Sequence, residues 1–360
     1  MFGALLNAVG KEDLSMKEDI LMKESMDDIC EALEKEILES DASGEEKQAM
    51  LGRLRKLCST ETNIMLVGAT GCGKSSTINA LFACNQQDEY VEAAKVGSKA
   101  DPETRDIERY RIGNLILWDT PGLGDGTKID AHHREVITEL LQEVDEGEDG
   151  EKTALIDLVL VILDGSTRDL GTSYQILNEV IIPELGDDTG RILIALNQAD
   201  IAMKTGRHWD YEKNEPDDTL KAFLEDKVAS IRTRIKEDTG LDITPVYYCA
   251  GYKEESGAVV YPYNLSKLLY YILNSLPVEK RAAVFGGLNT DAEQYEYNDD
   301  DMDYNERVVA SADSMADYVA EGINNGAVAG FCILGAPGAA VGMAVGAFVG
   351  GIKGILSHIF

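Results

Sequence analysis

Basic residues are scarce in this chain: 33 Lys and Arg stand against 65 Asp and Glu, a formal net charge of -32 over 360 residues. The acidic excess runs along the whole sequence, so its field opposes nucleic acid and anionic lipid, and nucleic-acid partners are disfavoured. Six cysteines, at 30, 58, 72, 84, 249 and 332, show no paired metal-ligand spacing. They offer no thiolate metal site and predict reduced thiols in a cytoplasmic protein. No basic stretch precedes the mildly apolar run from Met1 to Gly10, and acidic residues follow at once. That is wrong for a secretory signal and reads as the start of a helical region. No tandem repeat of solenoid length is present.

What remains is ample apolar material for a large domain with a smaller companion. Met22, Met26, Ile29, Leu33 and Ile37 recur at helical spacing within Leu14 to Leu38. Ser43 and Glu46 form a capping-box pattern ahead of Met50, Leu51, Leu54 and Leu57, which predicts a second helix to about Cys58. From Asn63 the pattern becomes short apolar runs separated by helical stretches: Ile64 to Val67, Leu115 to Trp118, Leu158 to Leu163, Ile192 to Leu196 and Thr244 to Tyr248. The alternation predicts an α/β fold with a mostly parallel sheet. Arg105 to Arg111 and Leu115 to Trp118 flank Gly113-Asn114, a hairpin that puts one antiparallel strand at the sheet edge. Asp291 to Glu306 is dense in acid and reads as a solvated linker. The expected organisation is an N-terminal helical segment over 1–58, a nucleotide-binding domain over 59–284, an acidic linker over 285–306 and a C-terminal glycine-rich hairpin over 307–360.

Chemistry is concentrated in four segments. Gly68, Ala69, Thr70, Gly71, Cys72, Gly73, Lys74 and Ser75 follow the GxxxxGK[ST] pattern, between a predicted strand and a predicted helix, with Ser76 next in line. Such a loop points successive amides at phosphate oxygens, aided by the positive end of the helix. Lys74 then bridges the β- and γ-phosphates, and Ser75 offers a hydroxyl to Mg²⁺. Asp119-Thr120-Pro121-Gly122 follows a strand, where Asp119 can hold a metal-bound water and the Gly122 amide can meet the γ-phosphate. Asn197-Gln198-Ala199-Asp200 ends another strand. Asp200 can accept from guanine N1 and N2, a pairing that adenine does not offer, so this carboxylate selects the base. Cys249 and Ala250 precede Gly251, with the Ala250 amide a candidate donor to guanine O6 or part of a plain loop.

Residues from about 60 to 280 resemble the Era-like GTPases of the translation-factor superclass, in the branch of small bacterial GTPases described as ribosome-binding, and more distantly the immunity-related GTPases. The likeness rests on Gly68 to Ser75, on Pro102-Glu103-Thr104-Arg105-Asp106, on Asp119 to Gly122 and on Asn197 to Asp200. It implies a P-loop GTPase domain with a helical region formed by both chain ends, Mg²⁺ as cofactor, GTP as substrate and GDP as product. It also implies that Thr104 coordinates Mg²⁺ and closes over the γ-phosphate. Two departures stand out. Gln198 occupies the position where these proteins usually have a Lys, and Leu123 follows Gly122 where many have a water-positioning Gln. Another group must then assist turnover, and Arg168 is the candidate for charge stabilisation, against a plain solvated arginine. The adjacent His132 and His133 read as solvated rather than catalytic.

Gly338, Gly342, Gly346, Gly350 and Gly354 recur at every fourth residue, and Ala327 to Ile352 carries no charge. On a helix these glycines form one stripe that another helix can approach closely. Pro337 divides the run into halves shorter than the ~20 residues that span a bilayer. The expectation is a helical hairpin that either contacts a membrane, joins copies of the chain as a homo-oligomer, or packs on the N-terminal helices. The leading reading is a nucleotide-operated conformational switch. Its alternative is a self-assembling or membrane-remodelling protein of dynamin-like or immunity-related type, with ribosome assembly third because no basic RNA-binding module is evident.

Overall fold

The computed structural model describes residues 30–35, 37–40, 42–82, 107–122, 127–146, 152–167, 171–186, 188–253 and 259–320. Thr104, Leu123, Arg168 and the glycine stripe lie outside the described residues. Six strands form the main sheet: β1 (Thr62–Gly68), β2 (Glu108–Ile112), β3 (Leu115–Asp119), β4 (Leu158–Asp164), β5 (Ile192–Asn197) and β6 (Val246–Tyr247). Their spatial order is β6-β5-β4-β1-β3-β2. All neighbours are parallel except β2 and β3, joined by the Gly113-Asn114 turn with Gly113 at φ 57°. The single antiparallel strand is therefore at the edge, as the hairpin signal predicts.

Alternation along the strands divides the core between two faces. Ile64, Leu66, Leu115, Leu117, Leu158 and Leu160 point to one face, and Met65, Val67, Ile116, Trp118, Val159 and Val161 to the other. Both faces are covered, which is why β1 and β3 are buried along their whole length and read as continuous apolar runs. The second face carries α3 (Thr127–Gln142) and α4 (Asp218–Thr239). The first carries α2 (Lys74–Leu81), α5 (Leu265–Ser275), α6 (Val278–Gly286) and, outside them, α1 (Gly44–Ser59) and α7 (Tyr304–Ala320).

The capping box ahead of α1 is present in both directions: Glu46 N donates to Ser43 Oγ at 3.3 Å, and Ser43 N donates to Glu46 Oε2 at 2.9 Å. The helix buries Met50, Leu51, Leu54 and Leu57, the stripe read from sequence. It packs on α6 and α7, so segments from both chain ends share one layer. Before it, a helical stretch over 30–35 and 37–39 buries Leu33 and Ile37 in the same cluster.

Two expectations need correction. Cys30 and Cys58 are joined by a disulfide, their Cα atoms 6.5 Å apart, whereas all six thiols were expected to be reduced. Residue 30 opens the first helical stretch and residue 58 lies near the end of α1, a proximity that spacing along the chain does not encode. Among the described residues Cys72 and Cys249 are free and buried. The second correction concerns 285–306. Acid content predicts a solvated linker, yet Tyr295, Asp299 and Tyr304 are buried. Tyr295 donates to Leu81 O at 2.8 Å, and Asp299 Oδ2 accepts from Asn264 Nδ2 at 2.9 Å and Lys267 Nζ at 2.6 Å. The aromatics interleaved with the acids anchor this segment to α2 and α5, and Lys267 balances the buried carboxylate.

No helix among the described residues is long and apolar enough to cross a membrane.

Candidate functional site

The candidate residues that lie among the described ones meet at the C-terminal ends of β1, β3, β4 and β5, the end where open parallel sheets place their ligand crevice. The phosphate loop leaves β1 at Gly68 and enters α2 through Gly73, which has φ 94° and serves as N-cap without any side-chain cap. No N-cap side chain therefore occupies the first-turn amides of α2. A side chain at Gly73 is excluded, since its Cβ would lie 2.1 Å from Asn197 Nδ2. Lys74 is buried, and its ammonium donates to Gly68 O at 3.1 Å and Ala69 O at 3.3 Å.

Ser75 Oγ donates to Asp119 Oδ2 at 2.7 Å, so the two expected metal-binding residues adjoin. Asp119 Oδ1 is buried without a hydrogen-bond partner. Desolvation raises the Asp119 carboxyl above its ordinary value of 3.8, against the Ser75 hydrogen bond and the Lys74 charge, which lower it. An orphaned carboxylate oxygen beside a hydroxyl offers the kind of oxygen donors a hard Mg²⁺ takes from protein, with phosphate and water supplying the rest, and the residues present fit it. Thr120 ties the following turn to β1 through Oγ1 to Leu66 O at 2.8 Å.

Asn197 braces three loops. Its Nδ2 donates to Cys72 O at 2.9 Å and its Oδ1 accepts from Ala250 N at 3.0 Å. The Ala250 amide, the candidate donor to guanine O6, thus donates to Asn197 in this structure. Gln198, in the left-handed region at φ 60°, donates from Nε2 to Gly71 O at 2.9 Å. A neutral amide thus joins the phosphate loop to the segment from Asn197 to Asp200, where the family pattern has a Lys. Asp200 is buried, its Oδ2 has no partner, and burial raises its carboxyl above 3.8 while a hydrogen bond with the Cys249 thiol lowers it. Cys72, buried beneath the loop, is pushed up to about 11 by desolvation, which keeps it a protonated, inert thiol.

Three supporting groups escape a reading of motifs. Tyr248, fully buried, shares a 2.5 Å hydrogen bond with Thr77 Oγ1, which donates to Gly73 O at 2.7 Å. Lys227 of α4 donates to Thr167 O at 2.6 Å and to Gly165 O, and so holds the Asp164–Thr167 loop beside Asn197. His133, expected to be solvated, is 3% exposed and has Nδ1 3.1 Å from Gly122 O. Its spacing to the buried Ile137 and Leu140 was the available signal: positions i, i+4 and i+7 share one face.

Comparison with known proteins agrees with this geometry. Residues 63–198 match the family described as 50S ribosome-binding GTPase. The strand order, the phosphate loop and this match define the class by its fold: the chain has the P-loop GTPase fold. A 77-residue stretch is 35% identical to interferon-inducible GTPase 1 of Mus musculus, covering 21% of this chain and 18% of that protein. A 76-residue stretch is 34% identical to septin-8 of Xenopus tropicalis, again 21% of this chain and 18% of the relative. The chain thus spans less than a fifth of the length of these relatives. Toc33 from Arabidopsis thaliana, solved with GDP and Mg²⁺, aligns with a TM-score of 0.38 at 15% identity, over 64% of this chain and 92% of that one.

Proposed function

We propose that this protein binds guanine nucleotide with Mg²⁺ and hydrolyses GTP to GDP and phosphate on the Era-like pattern, acting as a conformational switch. The observation that carries the reading is the buried, partnerless Asp200 Oδ2 in a loop braced by Asn197. A carboxylate oxygen held out of water without a donor is costly, and the N1 and N2 donors of guanine relieve that cost where adenine cannot. Lys74 and the amides at the start of α2 hold the phosphates, and the Gly122 amide meets the γ-phosphate. Ser75 and Asp119 would hold Mg²⁺, which would supply neutralisation of phosphate charge. Thr104 as the closing ligand and Arg168 as a stabilising charge complete the assignment from the family pattern.

The output we assign to this switch is a change in the segments that contact Gly122 when the γ-phosphate leaves. The helical layer of α1, α6 and α7 receives it. The stripe Gly338 to Gly354 is the candidate surface for a second copy or a membrane.

Calorimetry with GDP, XDP and ADP tests the base assignment. Asp200→Asn should exchange preference from guanine to xanthine, because the amide reverses one donor and acceptor relation at the base edge. Unchanged selectivity for GDP over XDP would move base recognition away from Asp200.

A further inference from the structure

We infer that His133 is a positioning residue for the γ-phosphate response, acting through the Gly122 peptide. The inference rests on the reading of Gly122 as the γ-phosphate contact. Gly122 is held from two sides. Toward the phosphate loop it lies so close to Thr70 that an added Cβ would be 2.3 Å from Thr70 Oγ1, 2.6 Å from its Cα and 2.8 Å from its amide nitrogen. On the other side its carbonyl faces His133 Nδ1 at 3.1 Å. A carbonyl only accepts, so the imidazole proton in this bond is on Nδ1.

The geometry has a specific effect. The amide of Gly122 and its carbonyl flank one Cα that has no side chain to restrict it, so the two peptide planes turn about it more freely than at any other residue type. The His133 bond supplies that restriction from α3, while Thr70 limits the approach from the loop. With both in place the Gly122 amide is oriented before nucleotide arrives, and less ordering is needed when the γ-phosphate binds. The imidazole itself is well anchored: His133 is buried on the same helical face as Ile137 and Leu140. Outward from the site, Arg134, the next residue on α3, is paired with Glu179. Gln142 at the end of α3 donates to Glu184 at 2.8 Å. The Gly122 contact is therefore attached to an element that is tied to the next helical segment, Gly171–Leu185, which gives a loss of γ-phosphate a physical route away from the nucleotide.

The consequence is selective. GDP has no γ-phosphate, so removing the His133 bond should leave GDP affinity nearly unchanged while weakening a GTP analogue and slowing hydrolysis. The test uses the full chain and three forms: wild type, His133→Phe, which keeps a ring but removes the donor, and His133→Asn, whose Nδ2 donor occupies the place of Nδ1. Calorimetry with GDP and with a non-hydrolysable GTP analogue, single-turnover GTP hydrolysis and thermal melting are measured on each. His133→Phe should lose roughly tenfold in both analogue affinity relative to GDP and hydrolysis rate, the loss of about one well-made hydrogen bond. His133→Asn should recover most of that loss. Equal losses of GDP and analogue affinity in His133→Phe, or no rescue by His133→Asn when both variants melt like wild type, would reduce His133 to a packing residue and overturn the inference. Unchanged analogue preference and turnover in His133→Phe would overturn it as well. A wild-type chain that binds GDP but shows no preference between GDP and the analogue, and no hydrolysis, would instead overturn the reading of Gly122 itself.

Discussion

At the residue scale, the site pairs buried charges with unmade hydrogen bonds. Lys74 is buried and engaged with two loop carbonyls, so its charge is held at the loop at a cost in solvation that a phosphate partner offsets. Lys74→Ala should weaken triphosphate binding by about 2–3 kcal/mol or more, in the range of charge-assisted hydrogen bonds, with the fold preserved. Titration of nucleotide into the variant checks it, and near-normal affinity would sink the site assignment. The Asp119 carboxyl makes a pH prediction. It is raised above 3.8 chiefly by desolvation, so its protonated form persists to higher pH than in an unfolded chain. Metal requires the anion, so Mg²⁺-dependent binding should be present above the raised pKa and lost as pH falls through it, starting above the range of an ordinary aspartate. Measuring nucleotide affinity with and without Mg²⁺ across acid pH checks the sign. The metal-free affinity should fall less.

At the element scale, the acidic segment after α6 determines how the helical layer joins the sheet. Asn264, which caps α5 in the left-handed region, donates to Tyr247 O at 3.2 Å and to Asp299. Lys267 pairs with Asp299, whose side chain is 1% exposed, and with the more exposed Asp301. Burial would lower the Lys267 ammonium, but the two carboxylates outweigh it and hold it above its ordinary range. Lys267→Ala leaves the Asp299 charge buried without its countercharge and should cost about 3–5 kcal/mol, the magnitude for breaking a buried pair. Removing both charges with Lys267→Met and Asp299→Leu should cost clearly less than the sum of the single changes, read from denaturant midpoints in a double-mutant cycle. Additive losses would mean that the pair contributes no coupling. The exposed Asp301 interaction should contribute under about 1 kcal/mol.

For the whole molecule, the nucleotide end of the sheet and the layer built from both chain ends share one core cluster, from Ile37 and Leu54 through Leu66 to Val308 and Met315. Packing at this density transmits displacement, so a change at the phosphate loop has a mechanical path into α1 and α7 through α2, α5 and α6. With Leu123 where a water-positioning Gln is usual, turnover per molecule should be slow in dilute protein and should rise with protein concentration or with a partner that brings the missing group. A phosphate-release assay over a wide concentration range checks this. A fast rate independent of concentration would place the assisting group, Arg168 foremost, within the same chain.

The sequence by itself determined the local features: the phosphate loop between a strand and a helix, the order of Asp119 and Asp200 after their strands, the Ser43–Glu46 cap and the antiparallel edge hairpin. Each is encoded within a few residues, by backbone preference, periodicity or hydrogen-bonding type. Only the tertiary structure decided which distant groups support them. Asn197 as a brace for Cys72 and Ala250, Tyr248 on Thr77, His133 on Gly122 and the Cys30–Cys58 bond join positions between 11 and 171 residues apart, in different elements. The acidic segment misleads for the same reason. Composition averages its charges as though each met water, whereas burial is set by what packs opposite, and Lys267, Asn264 and Leu81 O are supplied by other elements.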